Sequence, residues 1–211
     1  MRILSINVGM PKPVDFGPQT VTTGFYKAPV AGPVRMNRDN LAGDGQASLD
    51  VHGGADKAVY AYPSEHYEFW GRGLSDAALS PGAFGENLTI AGLLESDAHI
   101  GDELQIGDAR VVITQPRLPC FKMGLKFGRP DIQKRFLESG RSGFYLRVVR
   151  EGSIEAGMDF ERTSIDPVGL SIAELLALYA QKEICPAGLE RVMRVEALPE
   201  EWREMLRKRL G

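Results

Sequence analysis

The chain has 211 residues, of which 43% are hydrophobic and 25% charged, and its 25 basic and 28 acidic side chains give a formal net charge of −3. Such a composition belongs to a folded globular chain rather than a disordered one, and the length suits one substantial core with a small appendage, not two large domains. The slightly acidic balance argues against a surface built as a whole for nucleic acid, so no nucleic-acid partner is expected.

Met1 to Gly9 carries one charge and then a short alternating strand, without the apolar run and cleavage site of a signal peptide. No later stretch approaches the ~18 consecutive apolar residues that cross a bilayer. The expected compartment is therefore the cytoplasm, with no membrane partner. Two cysteines, Cys120 and Cys185, exclude a disulfide framework, and both are expected to be reduced.

Up to about residue 160 the pattern is mainly β: short segments rich in Val, Ile, Thr and Tyr alternate with Gly and Pro. Strands are predicted at Ile3 to Val8, Thr20 to Tyr26, Val34 to Arg38, Ala58 to Tyr62, Asn87 to Ile90, Glu103 to Ile106, Arg110 to Gln115 and Phe144 to Arg150. Many short strands at this spacing predict a closed or partly closed β-barrel, which removes exposed edges. Peripheral helices are expected near Ser64, carrying His66, Tyr67, Phe69 and Trp70, and from Pro130 to Gly140, where proline suits the first turn and glycine the position past the last.

After Phe160 the character changes. Ser171-Ile172-Ala173-Glu174 reads as a capping box, with Leu170 placed to staple onto Leu175, and a helix through Tyr179 follows. Pro186 to Val195 and Pro199 to Leu210 give two further short helical patterns. The expected organisation is a β-barrel domain over residues 1–160 and a three-helix extension over residues 161–211. The extension has too little apolar surface to stand alone, so it packs on the barrel or on a partner.

Three segments could carry chemistry. Asp50 to Tyr60 contains His52, the adjacent Gly53 and Gly54, and Lys57 before a strand; paired glycines let backbone amides approach an anion, and lysine adds the counter-charge. This is neither a phosphate loop nor a Rossmann fingerprint, and a plain turn is the competing reading. Ser80 to Thr89 is a second glycine-rich turn, in which Asn87 could bind the edge of a heterocycle. The third, Gln115-Pro116-Arg117-Leu118-Pro119-Cys120-Phe121-Lys122, places a thiol in a proline-fixed loop after a strand. From Arg117 to Arg129 there are four cations and no acid, which favour thiolate, the form that binds metals and attacks electrophiles. A solvated cationic face is the alternative, and Cys185 reads as structural. The scattered histidines and cysteines do not have zinc-ligand spacing.

Taken together and in this order, with Pro63 to Tyr67, Gly101-Asp102 and Gly140 to Tyr145 between and after them, these segments resemble a MOSC domain over most of residues 1–160. The tail resembles the three-helix extension of the stand-alone bacterial YiiM-type members of that family. The resemblance implies a β-barrel core and molybdenum-cofactor-dependent reduction of N-hydroxylated compounds, including base analogues whose detoxification it would serve. It also implies that Cys120 is both the catalytic residue and the ligand of molybdenum, a soft metal centre suited to thiolate. His52, Gly53, Gly54, Lys57, Asn87 and Arg117 are then expected to hold the phosphate and pterin of molybdopterin, with Arg141 a secondary candidate. Lys57 and Arg117 are expected as solvent-exposed cations that contribute little to the fold without a bound anion.

The chain has no recognisable flavin, haem or iron–sulfur motif, so electrons are expected from an external reductase, for which a flavoprotein is one candidate. A homodimer is allowed, and the oligomeric state stays open. Two other readings remain: a sulfur carrier using a Cys120 persulfide, and a non-catalytic molybdopterin-binding module.

Overall fold

The computed structural model describes residues 1–17, 19–47, 53–74 and 79–209. Its first part contains the strands β1 (Arg2–Val8), β2 (Lys12–Phe16), β3 (Gln19–Thr23), β4 (Ala28–Val30), β5 (Val34–Met36) and β6 (Val59–Pro63). Helix α1 (His66–Gly73) leads to β7 (Leu88–Ala91), β8 (Glu103–Ile106) and β9 (Ala109–Pro116). Helices α2 (Phe121–Phe127) and α3 (Ile132–Ser139) precede β10 (Phe144–Arg150), β11 (Gly152–Ile154) and β12 (Phe160–Ser164). The chain then becomes helical, through α4 (Ile172–Ala180), α5 (Pro186–Met193) and α6 (Glu200–Arg207).

Eight strands form the main sheet in the order β12-β8-β9-β10-β6-β7-β1-β4. Its ladders are antiparallel except for β6 with β7, whose connection runs through α1 as a parallel crossover requires. Of the closed or partly closed barrel that was expected, the closed form is corrected: β12 and β4 end the sheet. The start of β1 meets the approach to β12 through the Arg2–Asp159 bridge and through Ile3 N donating to Met158 O at 2.9 Å. Closure stops there because the other half of the same edge, Ile6 to Val8, is taken by β4.

Strand β6 organises the interior. All five of its residues are buried, and with side chains alternating across a strand, Val59 and Ala61 enter the main apolar cluster while Tyr60 and Tyr62 enter a separate aromatic one. In the aromatic cluster Tyr62 stacks on Phe84 with ring centroids 4.7 Å apart, and Trp70 donates its indole N–H to the Tyr62 hydroxyl at 2.7 Å. Gly143, at φ +60°, lets β10 close on this strand: a Cβ there would lie 2.4 Å from the Ala61 carbonyl oxygen.

The tail shares the main core. Leu170, Ile172, Leu175, Val192, Trp202 and Leu206 belong to the same buried cluster as Ile3, Leu88 and Ile113. The capping box forms as the sequence dictates, with Ser171 accepting from Glu174 N and Glu174 accepting from Ser171 N. Full burial of each large apolar side chain is worth about 1.5–3 kcal/mol, so this shared core fastens the three helices to the sheet of their own chain. Among the described residues, no helix is long and apolar enough to cross a membrane.

Candidate functional site

Pro116 ends β9, and the segment Arg117 to Cys120 crosses to α2, where Cys120 occupies the N-cap in an extended conformation. The thiol is half-buried and lies in the wall of a cleft that opens to solvent. The opposite walls come from Thr23 to Lys27, from Asp44 to Ala47, and from Gly85 and Asn87. Tyr60 and Tyr145, paired in register on β6 and β10 with ring centroids 5.3 Å apart, form the floor.

Cations dominate this cleft. Arg117 is wedged between the rings of Tyr60 and Phe25, its guanidinium carbon 4.6 and 5.0 Å from their centroids, and it donates to the Phe84 carbonyl. It is only 6% exposed, which corrects the expectation of a solvent-exposed cation. Burial opposes its charge, but Tyr60, Tyr145 and Cys120 more than offset this and raise its pKa. Lys27 forms a buried ion pair with Asp44, and burial lowers the lysine's pKa despite that partner. Asp44 also accepts from Gly9 N and from Asn87 Nδ2, each at 2.9 Å.

Lys122 and Lys126 sit one turn apart on α2. Lys122 lines the cleft, while Lys126 lies against the rings of Phe25 and Tyr26 and donates to Gly82 O at 2.9 Å. Burial, and then the repulsion of Arg117, Lys12 and Lys27, pushes Lys126 down to about 8 against the attraction of Glu86. Glu86 is a fully buried carboxylate enclosed by its own turn: it accepts from Gly82 N at 2.7 Å, Phe84 N at 3.0 Å, Thr89 Oγ1 at 2.9 Å and the Tyr67 hydroxyl. Lys27, Arg117, Lys122 and Lys126 thus outnumber Asp44 and Glu86, and the excess positive charge suits an anion.

Of the residues singled out from sequence, Cys120, Lys57, Asn87 and Arg117 line this one cleft. Asn87 is less free than expected: both amide hydrogens have protein acceptors, Asp44 Oδ2 and Asn7 O, and its Oδ1 accepts from Tyr60 N. It ties β6 to the Asp44 wall. His52 lies outside the described residues. Gly53 and Gly54 do not line the cleft; Gly54, at φ +98°, opens the single turn Ala55–Lys57 that presents Lys57. Arg141 is placed elsewhere, stacked 3.9 Å over Phe69 and bonded to Ser139 O, which removes it from the cleft wall. Sequence reasoning missed Lys27, Asp44, Tyr60 and Tyr145. Of these, Lys27 lacked any motif, whereas the tyrosines were visible as strand residues.

Residues 48–161 match the family model for the MOSC domain. The chain belongs to the MOSC domain family. Residues 170–210 match a second model, the YiiM-like 3-alpha helix domain. The chain is similar to YflK of Bacillus subtilis, with 40% identity across 98% of this chain and 93% of that one. It is also similar to a reductase of Gibberella moniliformis, with 34% identity across 74% of this chain but 28% of that longer protein. The crystal structure of YiiM from Geobacillus stearothermophilus superposes with a TM-score of 0.84 at 38% identity, covering 100% of this chain and 99% of that one.

In this MOSC chain the three-helix unit borders the same cysteine. A second cavity lies between the segment Gln115 to Cys120 and α6, where Glu201, Trp202 and Met205 form the far wall; Lys57, Cys120 and Tyr145 line both cavities. The wall is fixed by Trp202 donating its indole N–H to Gln115 Oε1 at 2.7 Å, and by Lys57 pairing with Glu201 at 3.0 Å. Arg147 pairs with Asp56, next to Lys57, and donates to Ala197 O at 3.3 Å, joining the Lys57 turn, β10 and the tail.

Proposed function

We propose that this MOSC protein holds a molybdenum cofactor in the charged cleft and reduces N-hydroxylated compounds to amines. The observation that carries the reading is the half-buried thiol of Cys120 in the wall of a cleft crowded with buried cations. The donor set fits molybdopterin: a soft thiolate for the metal, Arg117, Lys27, Lys122 and Lys57 for the phosphate, and aromatic walls from Phe25 and Tyr60 for the heterocycle. When bound, the cofactor supplies the redox chemistry, in which R–NHOH, two electrons and two protons give R–NH2 and water.

The chain's own groups bind and orient. Arg117 and the tyrosine pair fix the direction from which an anion meets Cys120, and the apolar packing around them limits water. Burial raises the pKa values of the Tyr60 and Tyr145 hydroxyls, so both stay protonated at neutral pH; the Tyr60 proton is committed to Ser142 O at 2.7 Å, and Tyr145, which lines the cleft, is the hydrogen-bond donor of the pair. An external electron-donor reductase, such as a flavoprotein, supplies the electrons. The reductase named among the relatives supports the reaction class.

The test is an anaerobic assay of protein purified from cells that make the cofactor, with a chemical reductant and 6-hydroxylaminopurine. Formation of adenine supports the reading. A stable extra sulfur on Cys120 without turnover instead identifies a sulfur carrier, and bound cofactor without turnover a binding module.

A further inference from the structure

Lys57, Cys120 and Tyr145 line both the charged cleft and the chamber under α6, and among the described residues they alone are shared. A group that reacts where the cavities meet therefore faces these side chains. The thiol is the metal's ligand in the reductase reading, and the Lys57 ammonium is paired with Glu201 at 3.0 Å. Tyr145 stands apart. It is half-buried, and among the described residues no group accepts its hydroxyl proton. We propose that Tyr145 is a catalytic residue whose hydroxyl donates a hydrogen bond to the N–OH oxygen of the substrate; this rests on the reductase reading for the reaction.

Strand β10 dictates the placement. Side chains alternate across it, so Phe144 and Leu146 enter the main apolar core while Tyr145 turns to the aromatic side, in register with Tyr60. The two rings lie 5.3 Å apart, yet Tyr60 spends its proton on Ser142 O. The pair thus divides into one structural donor and one uncommitted donor. Burial acts first on the Tyr145 hydroxyl, opposed by Arg117 and reinforced by Cys120, so guanidinium and thiol are both within electrostatic reach of it.

As the N–O bond breaks, two electrons arrive from the external reductase and two protons from solvent through the open cleft; nitrogen leaves in the amine and oxygen in water. Negative charge gathers on the oxygen before its proton arrives. A donor already aimed at that atom stabilises the charge without reorganising, and Arg117 behind it adds a fixed positive charge. Tyr145 keeps its own proton throughout.

The experiment compares the full-length, cofactor-loaded wild type with Tyr145→Phe, which keeps the ring and removes the hydroxyl. Calorimetry without reductant measures binding of 6-hydroxylaminopurine and of adenine, which lacks the oxygen. The preference for the hydroxylated base is expected to fall by about three- to tenfold in Tyr145→Phe, the worth of one hydrogen bond, with adenine affinity unchanged. With reductant, kcat is expected to fall by about tenfold or more while KM changes less. Molybdenum content and melting temperature stay at wild-type values, because the hydroxyl has no partner in the fold to lose. Wild-type kcat and base preference in a folded Tyr145→Phe protein overturn the proposal. Loss of molybdenum in that variant overturns it as well, by assigning the hydroxyl to the cofactor. A base preference that responds to Tyr145→Phe, combined with no turnover by wild type, keeps the hydrogen bond and removes the reductase reading instead.

Discussion

The two cavities that meet at Cys120 are built on different physical terms. In the charged cleft the side chains are committed to one another: Lys27 to Asp44, Asp44 to Asn87 and Gly9, Asn87 to Tyr60, and Arg117 to Phe84 between two rings. Its geometry is set by buried polar groups that are costly to leave unpaired, so it is preorganised for one anionic ligand. The chamber under α6 is walled by packing and closed by few polar contacts, the Trp202–Gln115 bond and the Lys57–Glu201 pair among them. The contrast sets buried, mutually paired charges on the sheet side of the cysteine against a largely apolar wall on the tail side.

The largest effect is expected where the two sides are joined. Trp202→Ala removes a buried indole from the shared core and leaves Gln115 without its donor, which costs about 3–5 kcal/mol in denaturant unfolding. A loss below about 1 kcal/mol shows that the tail is not fastened by this residue. Next is Arg117→Gln, which withdraws a buried cation from the cleft. Cofactor retention falls by about tenfold or more, with a stability loss of about 1–3 kcal/mol because the Phe84 carbonyl loses its donor. Equal cofactor content in variant and wild type rejects Arg117 as an anion ligand.

A smaller effect sharpens the electrostatics. Lys126 titrates at about 8, below the ordinary 10.5, so it carries its charge below pH 8 and loses it above. Sulfate, whose charge is constant over this range, is expected to bind the cofactor-free cleft more weakly as pH rises from 7 to 9, and Lys126→Met flattens that dependence. The sign for folding is opposite: the folded state releases this proton more readily than the unfolded chain, so stability from this residue rises between about pH 8 and 10.5. Sulfate affinity that is flat in wild type across the window contradicts the placement of Lys126 in the cation cluster.

The sequence disclosed the parts of this arrangement that depend on local pattern. The capping box of α4, the β-alternation of β1 and β10 and the proline-bounded thiol segment all follow from neighbouring residues. Helix α2 did not, because the proline-fixed segment that carries Cys120 reads as a loop although a short helix starts directly after it, with Gly128 at φ +60° as its C-cap. β4 and β12, at the ends of the sheet, are defined by long-range pairing that a local reading does not register. Lys27 and Asp44 illustrate the same limit at the site: they lie outside each motif in sequence, and the crossing of Gly24 against Gly45, where a Cβ would lie 2.4 Å from a carbonyl oxygen, helps bring their segments together. Arg141 shows the converse, a cation near the motifs in sequence that the fold assigns to Phe69.

The central claim is that Cys120 is the metal-binding thiol at the junction of the two cavities, and molybdenum and pterin content test it most directly. Wild type, Cys120→Ala and Cys185→Ala are purified from cells able to make the cofactor, and metal and pterin are measured beside the melting temperature. Cys185 caps α5 in an exposed position away from both cavities, so its variant should keep a full complement. Cys120→Ala should lose molybdenum while its cofactor-free melting temperature stays within a few degrees of wild type, since a half-buried loop thiol contributes little packing. Molybdenum and pterin retained equally by Cys120→Ala, or absent from wild type, would contradict the account.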